Sequence, residues 1–213
     1  MLVAMSTAAT PMSGRRAEAA RNDQRILDAA RAVFVADPDA PIAAVAEQAG
    51  VGISALYRRY ASKEELLRRL CGDGLKVYIA AAEKALADDG DPWEAFTRFM
   101  HRVVDADTHS LTSRLAGTFT PTDELSRDAA TGQELNQRLF ERTRSSGAIR
   151  PDLDVNDLSM VFEQLASVRL GDEARTSQLR HRYLALFLEA MHHPSPDPLP
   201  GPPPTWRELV ARW

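Results

Sequence analysis

The chain has a single cysteine, Cys71, in 213 residues. That excludes an internal disulfide framework and any multi-cysteine metal site. No apolar run approaches the ~18 residues of a membrane span, so no membrane partner is expected. The first thirteen residues lack Lys, Arg and an apolar run of signal-peptide length, which argues against secretion and for a cytoplasmic location. Alternating Val, Ile and Thr of the kind strands need are scarce. Also missing are a P-loop, G-x-S-x-G, H-E-x-x-H and a Rossmann fingerprint, and the five histidines show no metal spacing. No catalytic set, metal site or cofactor is expected, and an enzyme is the weaker reading beside a binding protein. Positive charge is in deficit too, with a formal net charge of −4, which at first sight fits a nucleic-acid partner poorly.

What is present is an ordinary globular composition, 44% hydrophobic and 26% charged, enough for one large domain or two small ones. The charge is unevenly placed. Between Gly14 and Leu70 ten Lys/Arg face eight Asp/Glu, so the acidic excess lies in the remainder. The periodicity is helical almost throughout, and the fold class is all-α. Ile26, Leu27, Ala30 and Phe34 form one buried stripe over 21–36. Asp37 to Pro41 breaks that helix, and Pro41 suits the first turn of the next. Short helices over 42–49 and 53–60 flank Gly50-Val51-Gly52, and Ser62 with Glu65 makes a capping box before a helix from Lys63. Asp91-Pro92 opens a helix, others cover 108–116 and 122–145, and Asp154 caps a helix over 154–170 that precedes a last long one at 174–192. Seven prolines among residues 194–204 imply an extended segment, which ends in a capped turn at Thr205 with Trp206 and Trp213 nearby.

Residues 42–60 read IAAVAEQAGVGISALYRRY. Two short helices crossing steeply need a small residue at the crossing and one that tolerates positive φ in the turn. Ala46 and Gly50 supply them, while Val45, Ala49, Val51 and Leu56 seat both helices on the first. This is a helix-turn-helix pattern, and its second helix presents Ile53, Ser54, Ala55, Tyr57, Arg58 and Arg59 to a major groove. Tyr57 and Lys63 suit phosphates, and Arg58 and Arg59 suit guanine edges or phosphates. A helical adaptor that binds no DNA is the competing reading of this stretch.

From Asn22 to Leu67 the chain resembles the N-terminal domain of the TetR family of transcriptional regulators. The resemblance rests on Ile26-Leu27-Asp28-Ala29-Ala30, Val33-Phe34, Val45 to Val51, and Leu56-Tyr57-Arg58-Arg59-Tyr60-Ala61-Ser62-Lys63-Glu64-Glu65-Leu66. Gly147 to Leu153 resembles a linker common before the family's dimerisation helices. Two departures stand out: Gly52 where the family has a Ser or Thr cap, and Pro41 where it has Thr or Ser. The resemblance implies a ligand-responsive repressor, a homodimer on a palindromic operator in double-stranded DNA, with a small-molecule effector pocket in the C-terminal helices. The implied organisation is a flexible arm at 1–20, a helix-turn-helix DNA-binding domain at 21–70, a helical-bundle effector and dimerisation domain at 71–193, and a Pro-rich tail at 194–213. Arg15 and Arg16 on the arm would enter the minor groove, with a disordered basic tail of little net effect as the rival reading.

In the effector half the candidate pocket residues are Phe96, Met100, His101, Leu115, Phe119 and Phe162, with plain core as the rival reading at helical spacing. The helices at 154–170 and 174–192 are the candidate dimer interface, through Leu158, Phe162, Leu165, Tyr183 and Phe187, with burial within one subunit as the rival reading. Gly72 and Gly74 either soften the helix that joins the two halves or permit a close helix crossing.

Overall fold

The structure, a computed structural model, describes residues 12–192 and 197–211 apart from Ala116. Expectations attached to residues 1–11, 193–196 and 212–213 lie outside the described residues. Those residues form ten helices and no strand, in two compact units, Met1–Leu66 and Leu67–Trp213.

The first unit holds α1 (Met12–Ala36), α2 (Ile42–Ala49), α3 (Ile53–Arg59) and the opening of α4 (Lys63–Leu86). Its core is the expected stripe of Ile26, Leu27, Ala30 and Phe34 on α1, met by Val45, Ala46 and Ala49 of α2, Leu56 of α3 and Leu66 of α4. α1 begins well before residue 21, because Ala17-Glu18-Ala19-Ala20 are strong helix formers. Arg15 and Arg16 therefore lie in the first turns of a helix, not on a flexible arm, and a helical segment does not thread a minor groove.

Gly50 ends α2 in the left-handed region at φ +64°, and the Val51 N–H closes back on the Ala46 carbonyl. A Cβ on Gly50 would also come within 3.0 Å of the Arg25 guanidinium, which donates to the Ala49 carbonyl at 2.6 Å. Pro41 is the N-cap of α2 and not its first residue, with an extended ψ of 149° and no side chain to cap with. Gly52 caps α3 equally without a side chain. At α4, Ser62 Oγ accepts from the Glu65 N–H at 3.1 Å, and the Glu65 carboxylate accepts from the Ala61 N–H at 2.7 Å.

The second unit comprises the rest of α4 with α5 (Pro92–Asp105), α6 (Thr108–Leu115), α7 (Asp123–Ser145), α8 (Val155–Ser167), α9 (Glu173–His192) and α10 (Trp206–Val210). Asp91, Thr122, Asp154 and Thr205 each accept from a backbone N–H in the first turn of the helix they open. α8 stops at Ser167, short of the expected 170. The core gathers Phe96, Phe99, Met100 and Val103 of α5 with Leu139 and Phe140 of α7, Leu158 and Phe162 of α8, and Leu184 and Leu188 of α9. A close approach of α4 to α7 falls at Gly132, where a Cβ would meet Leu75 at 3.3 Å and Tyr78 at 3.6 Å. Gly72 and Gly74 face no comparable crowding, so a tight crossing does not account for them.

The two turn glycines should respond oppositely to a side chain. Gly50→Ala should lower the stability of the full chain by about 1–2 kcal/mol, because a Cβ is strained at positive φ. Gly52→Ser, with open space around it and negative φ, should gain a few tenths of a kcal/mol. Urea unfolding of both variants checks this.

Candidate functional site

α3 is short, and its position rests on Leu56, which is fully buried beneath it, and on Tyr60 at its end. With those inward, Ile53, Ser54, Tyr57 and Arg58 face out; Ile53 is 40% and Tyr57 48% exposed despite their apolar bulk. Ala55 is half-buried. Arg58 makes no hydrogen bond or ion pair among the described residues. Arg59 differs: its Nε and Nη2 donate to the two Asp23 oxygens at 2.6 and 2.8 Å, and the Tyr60 hydroxyl donates to the same carboxylate at 2.7 Å. Asp23 thus pins the end of α3 to α1. Lys63 is engaged too. Its ammonium donates to the Pro38 and Ala40 carbonyls at 2.8 and 2.9 Å and lies over the Phe34 ring, which leaves one N–H for any outside acceptor.

The second unit contains a cavity of about 510 Å³. Its walls come from α4 (Cys71, Gly74, Leu75, Tyr78), α6 (Thr108, His109, Leu111), α7 (Leu125, Ser126, Ala129, Ala130, Gly132, Gln133, Asn136), α8 (Val155, Asn156, Ser159, Glu163) and the tail helix α10 through Trp206, Leu209 and Val210. It opens past Ser126, Ala129 and Ala130, which are exposed. None of Phe96, Met100, His101, Leu115, Phe119 and Phe162 lines it. Phe96, Met100, Leu115, Phe119 and Phe162 are buried in packed interior, and the aromatic stripe is core. His101 instead pairs with His181, Nδ1 to Nδ1 at 3.0 Å, while His181 Nε2 meets Asp105 at 2.6 Å. His109 does line the cavity: its ring stacks on Phe162 at 4.6 Å, and burial pushes its pKa down to about 4. Burial likewise pushes the Tyr78 phenol up. No group of His, Cys, Asp and Glu among the described residues is placed to hold a metal ion.

The tail reaches the cavity on a pinned strap. Arg150 binds Asp152 at 2.6 Å and donates to the Asp197 carbonyl, and the Asp152 carboxylate accepts from the Leu199 N–H at 2.7 Å. These bonds hold the Asp152 carboxyl well below the usual carboxylate range. Prolines 200 and 202–204 then carry the chain to α10, where Leu209 is buried. The expected dimer residues also divide. Leu158, Phe162 and Leu165 belong to the intramolecular core, and Phe187 is half-buried. On α9 Tyr183 is 41% and Leu186 60% exposed.

Ten helices and no strand among the described residues, with a short, outward-facing second helix after a glycine turn, make this a helix-turn-helix protein. Residues 26–70 match the sequence profile of bacterial regulatory proteins of the TetR family, and residues 91–193 that of the C-terminal domain of SbtR-like transcriptional regulators. The chain belongs to the TetR family, whose members regulate transcription and are not enzymes. No curated protein matches it in sequence. Among solved structures, it resembles the TetR regulator SCO0520 of Streptomyces coelicolor at 23% identity and a TM-score of 0.54, covering 81% of this chain and 99% of that one. LfrR of Mycobacterium smegmatis, solved with proflavine, matches at 23% identity and a TM-score of 0.54, over 79% and 96% of the two chains. The ketosteroid regulator KstR2 of Mycobacterium tuberculosis gives 21% and 0.57, over 81% and 95%. At these identities the likeness is one of fold.

Two outcomes follow from the cavity walls. Because the His109 pKa is depressed when folded, the unfolded chain takes up its proton first. Its contribution is full above pH 6.5 and lost progressively toward pH 4. Burial and His181 depress His101 in the same sense, so His109→Gln should remove part of this slope and leave the rest, read by urea unfolding at pH 7 and pH 5. Leu209→Asp should detach α10 by burying a charge. Uptake of the uncharged dye Nile red should then rise, together with proteolysis in the 198–204 strap.

Proposed function

We propose that this chain is a ligand-responsive repressor that acts as a homodimer on a palindromic operator. The observation that carries the DNA reading is the outer face of α3, where Ile53, Ser54, Tyr57 and Arg58 project from a helix fixed underneath by Leu56. Apolar and phenolic side chains left exposed beside an unpaired arginine suit thymine methyl groups, phosphates and a guanine edge. Ala55 belongs to the same face. Arg59 and Lys63 act mainly by holding that face in place, with Lys63 also presenting its last N–H near a phosphate. Arg16, exposed on α1, is a phosphate contact, with Arg15 beside it in sequence. The effector reading rests on the cavity of the second unit, and LfrR, solved with proflavine, shows a similar fold holding a small molecule. The dimer reading rests on the exposed apolar side chains of α9, Tyr183 and Leu186.

Selection from random duplex DNA should return a two-fold symmetric site, with affinity falling steeply as salt rises. Arg58→Ala should then weaken operator binding by about 1–3 kcal/mol and relax one base preference per half-site. Arg59→Ala should lower unfolding stability as well, since it leaves Asp23 without its guanidinium. Operator binding unchanged in Arg58→Ala would place the reading face elsewhere. Leu186→Glu should shift the chain toward monomer in analytical ultracentrifugation, and with it lose the cooperative occupancy of both half-sites.

A further inference from the structure

One ring of the cavity wall is held from several sides. Tyr78 of α4 meets Phe99 edge-on at 5.4 Å and His109 at 5.9 Å, and His109 in turn stacks on Phe162. A Cβ on Gly132 would stand 3.6 Å from the ring's Cδ1, so the glycine of α7 makes room for it. The hydroxyl on this fixed ring makes no hydrogen bond among the described residues. Nor is it sealed in, as the unpaired Thr97 Oγ1 and Asn136 Oδ1 are; it keeps accessible surface, and Tyr78 lines the cavity. Burial pushes the phenol's pKa up, with no charge or hydrogen bond acting on it, so at neutral pH it stays a protonated O–H. Beyond this polar point the wall is largely apolar, with Leu75 on α4, Leu111 on α6, Leu125 on α7 and Leu209 on α10.

A hydrophobic molecule that filled the cavity without an acceptor would leave this donor unpaired in a dry site, where the loss is largest. A carbonyl oxygen meets the need directly, since it brings two lone pairs and no donor that requires a partner of its own. We propose that the cavity takes an apolar molecule bearing a ketone or ester carbonyl, whose oxygen accepts from the Tyr78 hydroxyl while its hydrocarbon body lies along Leu75, Leu111, Leu125 and Leu209. Tyr78 is then the residue that selects an oxygenated ligand over a hydrocarbon of the same shape. This deepens the effector reading above and rests on it.

Calorimetric titration of the full chain at pH 7.5 with 2-acetylnaphthalene and 2-isopropenylnaphthalene tests the assignment. The two probes share a shape, and only the first carries the carbonyl oxygen. Tyr78→Phe removes one oxygen and keeps the ring. It should weaken the ketone about tenfold and leave the alkene within about twofold, whereas a general loss of packing weakens both alike. The infrared carbonyl stretch of the ketone, bound to native chain in excess, gives a reading that needs no variant; it should lie below its position in hexane. An unshifted band, equal loss of both probes or no loss of the ketone in Tyr78→Phe, or no saturable binding of the ketone overturns the proposal. Release of selected operator DNA is read separately. A ketone that binds through Tyr78 yet leaves the DNA bound overturns the effector reading and leaves the ligand class standing.

Discussion

Every helix end leaves carbonyls without an intrahelical partner, and a protein made only of helices meets that demand at each turn of the chain. Here the demand is met repeatedly by a cation reaching in from another helix. Arg25 of α1 takes the Ala49 carbonyl at the end of α2, and Lys63 of α4 takes Pro38 and Ala40 after α1. Arg142 of α7 closes the end of α4 through Ala85, Leu86 and Asp88. Arg180 of α9 reaches Ala166 and Val168 at the end of α8, and there also binds Asp107 at 2.8 Å. Arg25, Arg142 and Arg180 each bring a positive side chain to the negative end of a helix dipole, Lys63 holds the loop between α1 and α2, and each ties together two segments distant in sequence. The corners of both units are fixed by these clasps as well as by the apolar core.

That use of charge changes what the composition means. A net charge of −4 looked unfavourable for a DNA-binding protein, and a count of basic residues in the N-terminal region looked like compensation. Neither number measures what faces a phosphate. Arg25, Arg59 and Lys63 are largely consumed within the first unit, so its small basic excess overstates what is free. Arg58, adjacent to Arg59 in sequence and opposite in role, is left to act outward. An arginine's availability is decided by its carbonyl and carboxylate neighbours, and those come from other helices.

The same distinction separates what was legible in the sequence from what was not. Helix starts were readable because Asp91, Asp154 and Ser62 act on residues two or three positions away. The helix-turn-helix was readable because Gly50 must take positive φ and Leu56 must point inward, both local demands. Non-local features escaped. Gly132 carries no local signal, although it sets the approach of α7 to α4. His101 stands as a pocket candidate in the sequence because nothing near it there discloses His181. α1 ran longer than its buried stripe because helix propensity extended it where packing no longer required it.

The cavity is the clearest case, since its signature is the reverse of the one sought. Large aromatic residues at helical spacing read either as ligand contacts or as plain core, and here they fill space, with Phe96, Phe99 and Phe162 packed against one another. Room is left where the facing residues are small: Gly74 on α4, whose added Cβ would meet nothing within 4 Å, and Ser126, Ala129 and Ala130 on α7. A helix pair that packs closely at one glycine and carries small residues beside it cannot close the space between. The chain then lines that space with apolar and polar side chains together and brings its own C-terminal helix to the wall, held by a strap anchored at Asp152. Trp206, Leu209 and Val210 of α10 all stand in that wall, so the side chains that seat the tail are the same ones that bound the cavity.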